Sequence, residues 1–196
     1  MSQTRILIGI AIAVLFQTAL LGQMVWAQIT LLNSPTEVVL KTTPVDPRDI
    51  FRGDYVILNY EISAFDRNKV PIADGLESGD DAYVLLNTQG STAEPLEVLA
   101  AAPSDLRQGQ ALIRGRVNYV LRDEMTPNGS DCEDCPSIFI SYPIDSYFVP
   151  EGTGTELEKY RDERALGVVV ALNEEGDAAI KGLMIEGEKI YDEPLF

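Results

Sequence analysis

Phe51-Arg52-Gly53-Asp54-Tyr55-Val56-Ile57-Leu58-Asn59-Tyr60-Glu61-Ile62 is the stretch on which the reading of this chain turns. In it Val56, Leu58, Tyr60 and Ile62 fall on one face of an extended backbone, and Tyr55, Ile57, Asn59, Glu61 and Ser63 on the other. A period of two is the signature of a half-buried strand. Upstream, Val45-Asp46-Pro47-Arg48-Asp49 reads as the turn that delivers the chain to Gly53-Asp54. Gly53 can take a positive φ or admit another backbone, and Asp54 can accept backbone amides in an Asx-type turn. Tyr60 is expected to bury its ring and donate its hydroxyl to a carbonyl. These are structural roles. Arg52-Gly53-Asp54 also spells an adhesion tripeptide, but it leads straight into the strand and no adhesive role is read from it.

Working outward, more strands follow on both sides. Residues 37–42 form a short strand ending at Thr43-Pro44. A polar loop over 64–81 holds Pro71, Gly75 and Gly79; 82–87 is a buried strand and 96–101 another after a turn at 88–95. Residues 110–121 form the longest strand, with Ala111, Ile113, Val117, Tyr119 and Leu121 inward and Arg114, Arg116 and Asn118 outward. Gly115 is the expected bulge. Strands at 137–142 and 147–150 precede a single helix, opened by the capping box Thr155-Glu156-Leu157-Glu158 and ended by Gly167, with Leu157, Tyr160 and Arg164 inward. The tail reads as a meander: 168–172, a turn at 173–177, 178–185, a turn at Glu186-Gly187, and 189–191. Short strands with one helix and no β-α alternation predict a mainly β fold, an antiparallel sandwich or partly open barrel.

The amino-terminal segment is different. No charged residue occurs from Ile6 to Thr36, and residues 6–27 are mostly Ile, Leu, Val, Ala and Phe, long enough to span a bilayer as a helix. Two readings compete. Residues 6–26 can stay as a signal anchor, or Val25-Trp26-Ala27 can direct cleavage before Gln28. The length of the run and its continuation through Leu32 favour the anchor. Arg5 as the lone preceding charge then puts the amino terminus inside and the body outside. Gln17 and Gln23 lie on different sides of this helix and read as tolerated or helix-pairing residues. The expected organisation is an anchor over 1–32 and an extracytoplasmic β-domain over 33–196.

Charge and composition narrow the chemistry. Lys and Arg total 15 against 31 Asp and Glu, a net charge of −16, and without Arg5 the remainder carries −17. Such a surface repels phosphate and argues against nucleic acid or anionic lipid as partners. The chain has no histidine, which excludes Ser-His-Asp and Cys-His catalysis and histidine-ligated zinc. A Ser/Lys dyad, paired carboxylates or oxygen-ligated calcium or magnesium remain. Cys132-Glu133-Asp134-Cys135 sits in a polar loop over 122–136 and reads as a loop-tip disulfide or as free thiols. The flanking acids raise thiol pKa values and oppose redox catalysis. Asp131, Glu133 and Asp134 lack the spaced pattern of a calcium loop. Arg114 and Arg116 can pair with carboxylates across the sheet, but a solvated or salt-bridged face is the favoured reading in so acidic a protein.

Gly53, Asp54, Tyr55, Leu58 and Tyr60 match all five fixed positions of the GDYXXLXY family of bacterial membrane-anchored proteins, which this chain resembles over most of its length. Pro44-Val45-Asp46-Pro47-Arg48, Tyr147-Phe148-Val149-Pro150-Glu151-Gly152 and the layout of anchor followed by β-domain also resemble it. The resemblance implies an integral membrane protein with an extracytoplasmic domain, associated with a multi-spanning membrane protein, and it implies no catalytic residues. The expected role is therefore a non-enzymatic binding or accessory protein of the inner membrane, without cofactor or metal. A carboxylate or Ser/Lys hydrolase and a calcium-dependent structural module are the alternatives. A likeness to type I signal peptidases is faint: Ser34 precedes Pro35 and not methionine, and the arginine-containing match at 162–168 begins inside the expected helix.

Overall fold

The computed structural model describes residues 3–44, 55–121, 137–148, 157, 160, 161, 163, 165–185 and 187–192. Helix α1 runs unbroken over Gln3–Leu32. Its 27-residue apolar stretch Ile6–Leu32 is long enough to cross a membrane, at roughly 40 Å for a rise of 1.5 Å per residue. The described residues cover none of the central span, while Ile29, Leu31 and Leu32 in the last turns are half-buried where α1 packs on the β-structure.

Beyond α1 the chain is mainly β, with every strand pairing antiparallel. The strands are β1 (Thr36–Thr43), β2 (Tyr55–Ile57), β3 (Asn59–Tyr60), β4 (Ala64–Phe65), β5 (Asp81–Asn87), β6 (Glu94–Leu99) and β7 (Gln110–Val120). They continue with β8 (Ile138–Ser141), β9 (Ser146–Phe148), β10 (Leu166–Leu172), β11 (Ala178–Ile185) and β12 (Glu188–Asp192). One sheet has the order β12-β11-β10-β1-β3, the other β4-β8-β7-β5-β6, and β2 pairs with β9 in a small third sheet. Val38, Leu40, Val168, Val170 and Leu172 from the first sheet share one core with Ala82, Val84, Leu86, Ile113, Val117 and Ile140 from the second. The architecture is the expected antiparallel sandwich, partly closed toward a barrel.

Closure happens where strand edges run past their partners. Ala93 N–H donates to Val39 O at 2.8 Å, covering β1 where β3 does not reach. Arg114 N–H donates to Gly176 O at 2.7 Å, covering β7 before β8 begins at Arg116. Residues 71–73 lie along β6 through the Val98 backbone and mask that edge too. β10 is apolar throughout because both its faces are covered: Val169 and Ala171 are buried as well as the core set, and α1 packs on β10 and β11.

The quoted run does not form one strand. Leu58, Tyr60 and Ile62 are buried and Ile57, Asn59 and Glu61 exposed, so the alternation holds. Yet the backbone breaks into β2, β3, a 3-10 turn at Glu61–Ser63, and β4. β2 pairs with β9, β3 with β1 and β4 with β8, so this run laces all three sheets together. A single straight strand can belong to only one ladder, and the breaks let it change sheets.

Other differences have local causes. The bulge in β7 lies at Asn118 and not at Gly115: Val117 pairs with Ile140 and Tyr119 with Phe139. The extra residue reverses the alternation, so Tyr119 and Leu121 turn outward, 47% and 43% exposed, and Val120 packs on the core. β6 starts at Glu94 and includes Pro95, which sits at a register shift of an outer strand where its missing N–H costs no ladder bond. Gly167 lies inside β10 and ends no helix. Residues 157, 160 and 161 are helical, with Leu157 and Tyr160 against the core and Arg161 fully buried. The capping pair Thr155 and Glu158, and Arg164, lie outside the described residues.

Candidate functional site

Two tyrosines tie the lacing run to the β8–β9 connection. Tyr60, 2% exposed, donates its hydroxyl to Ile144 O at 2.6 Å, and Tyr142, 3% exposed, donates its own to Ile62 O at 2.6 Å. Each phenol thus bonds the segment that carries the other. Their rings meet edge to face, with centroids 6.4 Å apart. Leu58 N–H donates to Asp145 O at 2.8 Å and completes the tie. The 3-10 turn makes this geometry local: Ser63 Oγ accepts the Tyr60 N–H at 3.3 Å as the chain bends between β3 and β4. Across the sheet, Gly115 makes room. A Cβ there would lie 2.8 Å from Tyr142 Cε1 and 2.4 Å from Ile140 Cγ2, so only glycine lets that ring lie against β7.

Burial pushes both phenols well above their ordinary value of 10.0, and the nearby Asp145 charge pushes Tyr60 further. At neutral pH they are hydrogen-bond donors and not acid–base groups.

A cleft of about 220 Å³ opens beside this tie, lined by Asn59, Tyr60, Asn118, Tyr119, Ser141 and Asp145 among others. The bulge that places Asn118 on its wall also brings Tyr119 to its rim, where the ring stacks on Phe139 at 4.2 Å and 23°. Ser141 Oγ donates to Asn118 Oδ1 at 2.9 Å, which holds the amide in place.

A second cleft, of about 270 Å³, adjoins the first through Ser141 and Tyr142 and holds the arginines of β7. Arg114 pairs with Asp177, and Arg116 with Asp81 at 3.6 Å. Asp177 is positioned by an Asx turn in which Asn173 Oδ1 accepts the Glu175 and Asp177 N–H groups, and Gly176 allows the turn at φ 86°. Both carboxylates of this cleft face a partly exposed arginine, which makes this a salt-bridged polar face. Among the described residues no group of three or more acids or cysteines is arranged to hold a metal ion.

Of the residues singled out by sequence, Leu58 and Tyr60 come together in the core beneath the first cleft. Tyr55 opens β2 opposite Phe148. Gly53, Asp54, Cys132 and Cys135 lie outside the described residues. Ser34 donates its hydroxyl to Leu172 O, fastening the end of α1 to β10. Sequence reasoning passed over Tyr142 and Arg161 and read Asn118 only as an outward strand residue. The signal for Tyr142 was a tyrosine at the end of an apolar run facing a strand glycine. Arg161, 1% exposed, donates from Nη1 to Ile57 O at 3.0 Å, and nothing in its charged neighbourhood sets it apart from a solvated helix face.

Comparison with curated proteins and with solved structures gives no match. The family model of the GDYXXLXY protein matches residues 17–183, from the middle of α1 into β11. That span takes in the lacing run, both clefts and the tyrosine tie, and the chain belongs to the GDYXXLXY family.

Proposed function

We propose that this protein is a membrane-tethered accessory protein whose β-sandwich stands outside the cytoplasm and docks on a multi-spanning membrane protein. The observation that carries the reading is the helix: an uncovered apolar span, Ile6–Leu32, that continues without a linker into a sandwich fastened to its last turns. Water does not tolerate such a span, and the described part of the chain offers no cover for it. Trp26, 76% exposed one turn before the half-buried end, fits the aromatic belt of a bilayer surface. Arg5 as the lone charge before the span supports the amino terminus inside.

The role is non-catalytic on this reading. The family residues Leu58 and Tyr60 are packed in the core, the phenols are held neutral, and the carboxylates of the second cleft are each paired with an arginine. The test is purification of the intact chain from its own membranes in mild detergent. We expect one multi-spanning protein to accompany it in fixed ratio and to be lost when α1 is replaced by an unrelated membrane span. A chain that runs alone in mild detergent, or that leaves the membrane in carbonate, would refute the reading.

A further inference from the structure

We infer that the cleft beside Tyr60 is a saccharide-binding site, with Tyr119 as its stacking platform. Four observations meet there. Tyr119 is half exposed although it belongs to the longest strand of the sandwich, and the bulge at Asn118 is what turns it out of the core. Bulges of this kind re-aim a side chain at the expense of the ladder. Phe139, directly opposite in register, stacks on the ring at 4.2 Å and stiffens it, leaving the remainder of the tyrosine to solvent. An aromatic face carries negative charge density and attracts the polarised C–H groups that line one side of a pyranose ring.

The rest of the cleft matches the other side of a sugar. Asn59, Asn118 and Ser141 offer neutral donors and acceptors, and the exposed Asp145 offers a carboxylate. Asn118, in the lining, accepts the Ser141 hydroxyl on its Oδ1, which leaves the two N–H donors of its amide for a ligand. Hydroxyl groups are bonded by such a set, whereas an anion meets no cation in the lining. At about 220 Å³ the cleft is the size of a single sugar ring. Its place is also suitable. Thr42 and Thr43 at the far end of β1 pair with Tyr60 and Asn59, so the cleft lies a strand length from the end of α1. A strand of eight residues is about 26 Å long, so the cleft is separated from the end of α1 by about that distance along β1.

The test uses the full chain in nanodiscs, which avoids glycoside detergents, and saturation-transfer NMR with the N-acetylglucosamine trimer and maltotriose as probes. We expect transfer to ring C–H protons of at least one probe. Tyr119→Ala should weaken that binding about tenfold or more. Arg114→Ala, in the neighbouring cleft, should leave it unchanged, and far-UV circular dichroism should show both variants folded. Absence of transfer from both probes to the wild-type chain would overturn the proposal. So would undiminished transfer in Tyr119→Ala, because the platform is then not the site.

Discussion

Removing one oxygen atom from Tyr60 tests whether the lacing run is a structural device. Tyr60→Phe keeps the ring in the core and deletes the hydroxyl that donates to Ile144 O at 2.6 Å. Ile144 is itself 3% exposed, so its carbonyl is left buried with one bond fewer. A lost hydrogen bond with a buried acceptor stranded costs about 1–2 kcal/mol. Alkaline pH supplies an independent handle. Tyr60 and Tyr142 are both raised above 10.0 in the folded chain, chiefly by burial. Below pH 10 both states keep these phenols protonated and the stabilisation is fully present. Above it the unfolded chain ionises while the folded chain does not, so stability falls as pH rises toward the folded values. Each such tyrosine contributes a slope approaching about 1.4 kcal/mol per pH unit.

The wild type carries both contributions and Tyr60→Phe only that of Tyr142. The two stabilities should therefore converge by about 1.4 kcal/mol between neutral pH and pH 11, almost erasing the cost seen at pH 7. Other groups titrating in that range cancel in the difference. The assay is urea unfolding of the full chain in detergent, followed by near-ultraviolet circular dichroism, at pH 7 and at steps up to pH 11. Equal stability of the two proteins at pH 7, or a gap that stays constant to pH 11, would refute the reasoning.

Gly115→Ala should destabilise the fold by about 1–3 kcal/mol in the same urea assay, because the new methyl meets Ile140 and Tyr142 inside contact distance. Amino-terminal sequencing of the membrane-bound protein should begin before residue 6; a sequence starting at Gln28 would show that the span is cleaved. Cys132→Ser combined with Cys135→Ser should change stability by no more than about 1–2 kcal/mol, since a bridge between them closes only a tiny ring, and normal membrane levels on immunoblotting would check it.

The periodicity of this chain reveals the elements more readily than it reveals their connections. Alternation along β5, the continuous apolar run of β10 and the apolar length of α1 are local properties, and the strands and helix stand where those patterns put them. The run from Tyr55 to Phe65 also keeps its expected inward set, yet it changes sheets twice. Which ladder a two-residue strand joins depends on partners far along the chain, such as Thr42 and Phe139, and no local pattern encodes that choice. The Asn118 bulge was hidden for a similar reason. Gly115 is the conspicuous residue of β7, but its small size serves the ring of Tyr142, a contact made across strands. The cleft was illegible from sequence because it depends on both surprises at once, the displaced bulge and the broken run.

The placement of the family residues bears on what kind of signature they form. Among the described positions the pattern fixes Leu58 and Tyr60, 3% and 2% exposed, and leaves open Ile57 and Asn59, which face outward. A signature selected for binding a common ligand would fix the outward residues that touch it. One selected for holding three sheets together would fix the inward ones, as here. Leu58 and Tyr60 thus serve the scaffold, while Asn59, which lines the cleft beside them, is left open by the pattern. Asn59→Ala should therefore leave stability within about 0.5 kcal/mol of the wild type, as expected for an exposed residue outside the tie. A loss comparable to that of Tyr60→Phe in the urea assay would show that the open positions of the pattern also carry the fold.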